Sequence, residues 1–262
     1  MQTPRIPYHD ETETDVATVA YGYRNVLAAE KRWLVDRHFD QIARRYDLAD
    51  ALLSFGLHSW WKRFAIRELA LNRGDRVLDV CGGTGDFAIL AAKAVAPEGA
   101  VTVYDINRHM MEAGQRKVGR SGYQRTISWL QGDAEMISFP DKAFDAVTVG
   151  FGLRNLIHLE RGLLEMFRVL KKGGRLLGLE FSVPRSVWVR ALYHFYSFKV
   201  IPLAGKAITG TADPFKYLAE SIRVFPRPEA MKVIMEDSGF SDVTWQRLTN
   251  GIVVVYTGRK SR

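Results

Sequence analysis

Residues 77–87 read VLDVCGGTGDF: a short apolar run ends on an acid and passes at once into a cluster of glycines. A strand that hands its chain to a helix through glycines leaves backbone N–H groups pointing outward at the helix N-terminus, and a ligand can approach with no Cβ atoms in the way. Gly83-Thr84-Gly85-Asp86-Phe87-Ala88 satisfies G-x-G-x-x-A, and Asp105 follows Gly85 by twenty residues. That is the distance at which an acid at the end of the next strand accepts hydrogen bonds from two ribose hydroxyls. The stretch therefore predicts an α/β sheet with a nucleotide-like ligand at the end of its first parallel strand.

The rest of the chain supports that sheet. Between residues 74 and 181, β-rich runs alternate with helical spacing, the pattern of a doubly wound parallel sheet. Strands are expected at 76–80, 101–104, 127–131, 145–149 and 175–180, with helices over Phe87–Val95 and Glu160–Leu170. Lys171-Lys172 followed by Gly173-Gly174 reads as the basic last turn and glycine stop of the second helix. Alternation returns at Val243–Leu248 and Ile252–Tyr256, separated by Thr249-Asn250-Gly251, where Asn-Gly signals a hairpin. The expected architecture is a Rossmann-like doubly wound seven-stranded sheet in a single domain over residues 21–262. Residues 21–72 form a helical lid segment and 184–225 an insertion after the fifth strand, on the substrate side. Residues 1–20, with Asp10, Glu11, Glu13 and Asp15 and no apolar run, read as a disordered acidic tail without the features of a signal peptide.

Composition narrows the classes. The chain has 262 residues, 47% of them hydrophobic, enough for a large core. The single cysteine, Cys81, excludes an internal disulfide framework and suits a reducing compartment, so the cytoplasm is expected. The longest apolar candidate, Val187–Ile208, is interrupted by Arg190, His194, Lys199 and Lys206, and is not a membrane span. A net charge of +8 fits an anionic neighbour, either nucleic acid or a lipid surface, and equally fits simple solubility. No nucleic-acid-binding module is recognisable, and the six histidines show no ligand spacing, so no metal is expected.

Three features separate S-adenosylmethionine from a dinucleotide. Asp79 precedes the loop and suits the amino group of a methionine moiety, whereas it would repel a pyrophosphate. Asp133-Ala134, just after the third strand, offers a carboxylate and a small residue near the place of an adenine edge. The terminal hairpin adds an antiparallel strand to the parallel sheet, a methyltransferase trait.

The sequence resembles the ubiquinone/menaquinone biosynthesis C-methyltransferases, class I S-adenosylmethionine-dependent enzymes, over roughly Tyr21 to Lys260. The likeness rests on Phe39-Asp40 through Tyr46-Asp47, Ser54-Phe55-Gly56-Leu57-His58 with Trp61-Lys62-Arg63, and the loop Gly82–Asp86. It continues in Asp105-Ile106-Asn107, Phe139-Pro140-Asp141, Phe151-Gly152-Leu153-Arg154-Asn155, Tyr217-Leu218-Ala219-Glu220-Ser221-Ile222 and Leu248–Ile252. The F-G-L-R-N and Y-L-A-E-S-I runs are the most particular. The resemblance implies a cofactor side of Asp79, Gly82, Gly83, Thr84, Gly85, Asp105, Ile106, Asp133, Ala134 and Gly150. Gly150 departs from the family, which often has a hydroxyl residue there. It implies a substrate side of Tyr46, Phe151, Tyr196 and Tyr217, and a polyprenyl quinol as substrate.

Methyl transfer to carbon needs two reactants held close and dry and an electron-rich acceptor, hence a reduced ring. Arg154 and Asn155, immediately after the fourth strand, are expected at the mouth of the site as stabilisers of an ionised hydroxyl. His58 is expected as a proton acceptor, and Asp86 and Asn107 as helix caps. Trp188, Leu192, Tyr193, Phe195, Tyr196, Phe198, Val200 and Ile201, flanked by Arg185, Arg190, Lys199 and Lys206, suit an isoprenoid tail or peripheral contact with the inner face of the cell membrane. A homodimer is compatible with the sequence. Two competing readings stay open, a methyltransferase for another target such as RNA and a silent scaffold of the same pathway.

Overall fold

The computed structural model describes residues 17–261. A small antiparallel hairpin, β1 (Thr18–Tyr21) and β2 (Arg24–Leu27), stands apart from a seven-stranded sheet. The sheet comprises β3 (Arg76–Val80), β4 (Ala100–Asp105), β5 (Ile127–Gln131), β6 (Phe144–Gly150), β7 (Leu170–Phe181), β8 (Ser241–Leu248) and β9 (Val253–Arg259). Its order is β5-β4-β3-β6-β7-β9-β8, parallel from β5 through β7 and antiparallel at the β7–β9 and β9–β8 pairs. This is the Rossmann-like α/β sheet that the sequence leads one to expect, closed by its terminal hairpin.

Ten helices are described: α1 (Ala28–Ile42), α2 (Tyr46–Leu53), α3 (Leu57–Glu68), α4 (Asp86–Val95), α5 (Arg108–Val118), α6 (Leu159–Val169), α7 (Val187–Phe195), α8 (Ile201–Thr209), α9 (Asp213–Val224) and α10 (Pro228–Asp237). A π turn over Tyr196–Val200 joins α7 to α8. Among the described residues no helix is long and apolar enough to cross a membrane.

The central strands carry near-continuous apolar runs because helices cover both faces of the sheet. Successive side chains go to opposite sides. Leu78, Val80, Val147 and Val149 pack with Leu163 and Met166 of α6 and Met231 and Met235 of α10. Val77, Val101, Val103 and Ala146 pack with Trp61, Ala65 and Leu69 near α3 and with Phe87, Ala88, Ala91 and Ala92 of α4. Each fully buried Leu, Val or Met contributes about 1.5–3 kcal/mol. β3 has β4 on one side and β6 on the other, so the strand order reverses there, and the crevice beyond the carboxyl ends of β3 and β6 is the natural ligand site of such a sheet.

Three expectations need correction. The acidic tail expected over residues 1–20 stops short, since Thr18–Tyr21 pair with Arg24–Leu27; residues 1–16 lie outside the described part. The segment 21–72, expected as helical, therefore begins with half of a hairpin. Gly173-Gly174 do not stop a helix: α6 ends at Val169 and Leu170 already pairs with Phe144. The glycines instead turn within the start of β7, where Gly173 N–H donates to the carbonyl of Lys260.

Candidate functional site

Two cavities open beyond the carboxyl ends of the parallel strands. The first, about 540 Å³, is lined by the glycine loop, Asp79, Asp105, Ile106, Asp133, Ala134, Gly150 and residues of α1. The second, about 560 Å³, is almost wholly apolar and is enclosed by α1–α3, α7, the π turn and α9. Phe39, Tyr46, Phe151 and Asn155 line both, and so mark the seam where the two meet.

The loop follows from close packing. A Cβ on Gly82 would lie 2.7 Å from Val103 and 2.9 Å from the Asp79 carbonyl, so only glycine fits. Gly85, at φ 77, caps α4 in the left-handed region. It does not line the cavity; its missing Cβ makes room for Trp129. Cys81 and Phe151, at the ends of β3 and β6, hold φ values of 52 and 57. Left-handed backbone at two non-glycine residues costs about 1–3 kcal/mol each and here bends both strand ends around the cavity.

The carboxylates are set for a cationic nucleoside. Asp105 accepts from Gly83 N–H at 2.8 Å and from Asn107 N–H at 2.8 Å, leaving its remaining acceptor capacity to the cavity. Asp79 accepts from the Thr148 hydroxyl at 2.7 Å with Oδ1, while Oδ2 is buried without a partner among the described residues. Burial pushes the Asp79 carboxyl up to about 7 and that of Asp105 up to about 6. A cation in the cavity would relieve both. Asp133 accepts from Glu135 N–H and pairs with Arg32 at 3.2 Å. These features fit a ligand with an ammonium, a sulfonium and a ribose.

Other expected residues behave differently. Thr84 lines the cavity, but its hydroxyl is already engaged, donating to Asp47 and accepting from Lys117. At Gly150 a Cβ would meet the Phe87 ring at 2.4 Å, so the hydroxyl residue common at this position has no room here. His58 lines neither cavity. Its Nδ1 lies 3.1 Å from Asp50 and 3.3 Å from Lys62, inside an ion cluster. Arg154 is not at an open mouth: its side chain is 8% exposed and pairs at 2.8 Å with the fully buried Glu180. Burial opposes its charge, but Glu180 holds the guanidinium above its ordinary range. Its Nε and the Asn155 Oδ1 are buried without partners among the described residues, and both residues line the apolar cavity. Tyr46, Phe151, Tyr196 and Tyr217 line it too, as expected; Tyr196 donates to the Leu53 carbonyl.

What sequence reading did not anticipate is the set of contacts that ties α1–α3 to the acid-lined cavity. Asn107 caps α5 as expected and also donates to Asp36 and Asp40 of α1. Asp86, expected as a cap, instead pairs with Lys62 and Lys117 at 2.8 and 2.7 Å. Lys62, nearly buried, bridges Asp86 and Asp50; burial lowers its proton affinity, but the two carboxylates raise it well beyond the usual lysine range. Asp50, His58 and Asp86 bring ligand atoms within 4.8 Å of one another, and the Lys62 ammonium is the cation seated between the two carboxylates.

Comparison with known proteins agrees with this geometry. The model of the ubiE/COQ5 methyltransferase family matches residues 27–260. A ubiquinone/menaquinone biosynthesis C-methyltransferase of Pseudomonas paraeruginosa is 44% identical over 93% of this chain and 95% of its own length. One of Pseudomonas entomophila is 43% identical over 99% and 100%. Among solved structures, an S-adenosylmethionine-dependent methyltransferase of Thermotoga maritima superposes with a TM-score of 0.60 at 20% identity, covering 87% of this chain and 100% of that one. Phosphoethanolamine N-methyltransferase 2 of Haemonchus contortus, in complex with S-adenosyl-L-methionine, reaches 0.57 at 15% identity, over 77% of this chain and 52% of that one. At such identities the structural likeness speaks for the fold.

Proposed function

The chain belongs to the ubiE/COQ5 methyltransferase family, and from that premise we infer that it methylates a ring carbon of a polyprenyl quinol in respiratory quinone biosynthesis, with S-adenosylmethionine as methyl donor. The acceptor is demethylmenaquinol, the methoxy-polyprenyl-benzoquinol precursor of ubiquinone, or both. The observation that carries this reading is the pairing of an acid-lined cavity with an apolar one of nearly equal size, joined at Phe39, Tyr46, Phe151 and Asn155.

The bound cofactor supplies an electrophilic methyl group on a positively charged sulfur. Asp79, Asp105, Asp133 and the loop glycines hold it, with Asp105 toward the ribose and Asp79 complementing the ammonium. The aromatic walls of the second cavity take the ring and the start of the tail, and α1–α3 exclude water as a lid. Arg154, held rigidly by Glu180, faces the acceptor hydroxyl with Asn155 and favours the ionised quinol, whose charge flows to the attacked carbon. A charge-assisted hydrogen bond of this kind contributes about 1.5–3 kcal/mol, or about one to two powers of ten in rate.

A lipid substrate raises the question of entry. Trp188, Leu192 and Leu203 are 86%, 70% and 72% exposed, and Phe55, Val187 and Phe195 are exposed near them. Leu192, Phe195 and Phe55 also line the apolar cavity, so these three exposed side chains stand at its rim, with Val187 and Trp188 on the same helix as Leu192 and Phe195. Residues 183–212 carry Arg185, Arg190, Lys199 and Lys206 and no acid. Such a surface fits an anionic bilayer, from which the tail passes directly into the cavity.

Incubation with methyl-labelled cofactor and each reduced acceptor, followed by mass analysis, tests the function. Label on a ring carbon of a quinol is expected. Binding of the cofactor without transfer to any quinol, or transfer to RNA instead, overturns it.

A further inference from the structure

Transfer of a methyl group to a ring carbon that bears hydrogen forms one C–C bond and breaks one S–C bond, whose electrons stay on sulfur. A ring C–H bond then breaks, its electrons return to the ring, and one proton must leave for each turnover. Arg154 is a poor acceptor because a guanidinium stays protonated, and His58 stands outside both cavities. The proton needs another exit.

A third cleft, about 480 Å³ and lined by Arg24, Arg37, Asp213, Lys216 and Glu220 among tyrosines, lies against the apolar cavity on the side of the β1–β2 hairpin. His38 and Tyr217 line both the apolar cavity and this cleft, so they form the partition between them. The His38 imidazole hydrogen-bonds through Nε2 to the Tyr21 hydroxyl, and Tyr21 lines the cleft alone. Its other nitrogen, Nδ1, is buried and has no partner among the described residues. The Tyr217 ring stacks on Tyr21 at 4.4 Å and on His38 at 5.6 Å, fixing all three side chains. An imidazole bonded at one nitrogen and free at the other, set in a wall between an apolar cavity and a cleft lined by charged side chains, is built to pass a proton across.

We propose that His38 is the proton acceptor of the methylation and that His38 and Tyr21 together carry the proton from the acceptor cavity to the third cleft. Nδ1 takes the proton released by the quinol, Nε2–H passes its own proton to the Tyr21 oxygen, and the Tyr21 hydroxyl proton leaves to water in the cleft. The Nδ1–H tautomer left behind returns to Nε2–H by exchange with water once the product has gone, a step with no net proton change, so one proton per turnover ends in solvent. The proposal rests on the quinol-methylation reading above.

The surroundings suit the task. Asp213 of α9 faces His38 with its negative charge, Arg37 of α1 and Arg24 of β2 with positive ones, and Tyr21 and Tyr217 with hydroxyls; Glu220 and Lys216 line the cleft beyond. Burial, opposed by Asp213 and reinforced by Arg37 and Arg24, lowers the proton affinity of the imidazole below the ordinary value. At neutral pH it is uncharged and able to accept.

Two measurements test this. In the free protein, ¹⁵N magnetic resonance of the imidazole is expected to show the Nε2–H tautomer, titrating below the ordinary histidine range; an Nδ1–H tautomer overturns the relay whatever the substrate is. In turnover with a short-tailed quinol, His38→Gln and His38→Ala are expected to lower kcat about 100-fold, as loss of a general base does. Cofactor affinity by calorimetry should be unchanged, and added imidazole should partly restore His38→Ala. Tyr21→Phe should lose about tenfold, the relay then depending on water. An active parent whose His38 variants stay within about twofold overturns the relay alone. A parent that methylates no reduced quinol overturns the functional reading and the relay with it.

Discussion

At the residue scale, the acid-lined cavity holds two buried carboxyls that a bound cation would relieve. Asp79 and Asp105, raised to about 7 and about 6, bind protons more readily in the folded protein than in the unfolded chain, where Asp titrates near about 3.9. Their contribution to the stability of the free protein is thus complete below about pH 4 and is lost as pH rises through about 6 and 7. Binding of a cation has the opposite preference, since it requires the ionised forms. Affinity for S-adenosylmethionine is therefore expected to fall about 100-fold from about pH 8 to about pH 5.5, most of it from Asp79, since each pH unit below a pKa costs about tenfold in the ionised form. Asp79→Asn should raise the melting temperature of the free protein at about pH 8 by a few degrees, about what 1 kcal/mol does in a chain this long. The same variant should weaken the cofactor about tenfold or more, the share of one charge-assisted contact. Calorimetry and thermal unfolding across pH check both signs; a variant equal to its parent in affinity removes Asp79 from the site. Asp79, Asp105 and Asp133 were legible because each stands at or just past the carboxyl end of a successive parallel strand, Asp79 within β3, Asp105 closing β4 and Asp133 just after β5. Glu180, His38 and Lys62 were not, because nothing in their neighbouring residues marks what lies opposite them.

At the scale of elements, the N-terminal helices are fastened to the sheet by charge as much as by apolar contact. Lys62 of α3 joins Asp50 of α2 to Asp86 at the start of α4, while Lys117 of α5 reaches Asp47 of α2 and Asp86. Removing the central cation leaves two partly buried carboxylates facing each other. Lys62→Met is expected to cost about 3–5 kcal/mol, the usual cost of breaking a buried pair from one side. Hydrogen exchange over residues 46–68 should speed up more than exchange in the sheet. Denaturant unfolding measures the first effect and exchange mass spectrometry the second; a Lys62→Met variant as stable as its parent would show that the cluster contributes nothing. The strands of the sheet were readable one by one, since parallel strands covered on both faces are apolar almost throughout. The hairpin at Thr18–Leu27 was hidden because its strands are four residues each and mostly exposed, with no alternation to read. Gly173-Gly174 misled for a related reason: a basic pair before two glycines ends a helix or turns a strand equally well, and only the pairing of Leu170 with Phe144 decides.

At the scale of the whole molecule, the three openings adjoin in turn: the acid-lined cavity shares Phe39, Tyr46, Phe151 and Asn155 with the apolar one, which shares His38 and Tyr217 with the third cleft. Val187 and Trp188 are exposed on the same helix as Leu192, which is itself exposed and lines the apolar cavity, so on the docking reading above membrane contact and substrate entry share that helix. Trp188→Glu with Val187→Glu is expected to abolish cosedimentation with vesicles containing anionic phosphatidylglycerol and to lower turnover of a long-tailed quinol in those vesicles about tenfold or more, as charges placed in the interfacial region oppose insertion. Turnover of a short-tailed quinol in solution should stay within about twofold, since the surface change leaves the reacting groups in place. Equal binding by parent and variant would place docking elsewhere. The sequence alone determined the sheet, its terminal hairpin, the glycine loop and the acids beside it, because these depend on local geometry and on spacing along one strand–loop–helix unit. Tertiary structure alone decided which side chains meet across the seam, that Arg154 is locked to Glu180 and His58 to an ion cluster, and that His38 stands between an apolar cavity and a cleft lined by charged side chains. Those pairings join residues far apart in the chain, and their partners are chosen by how the helices pack, which no short stretch of residues encodes.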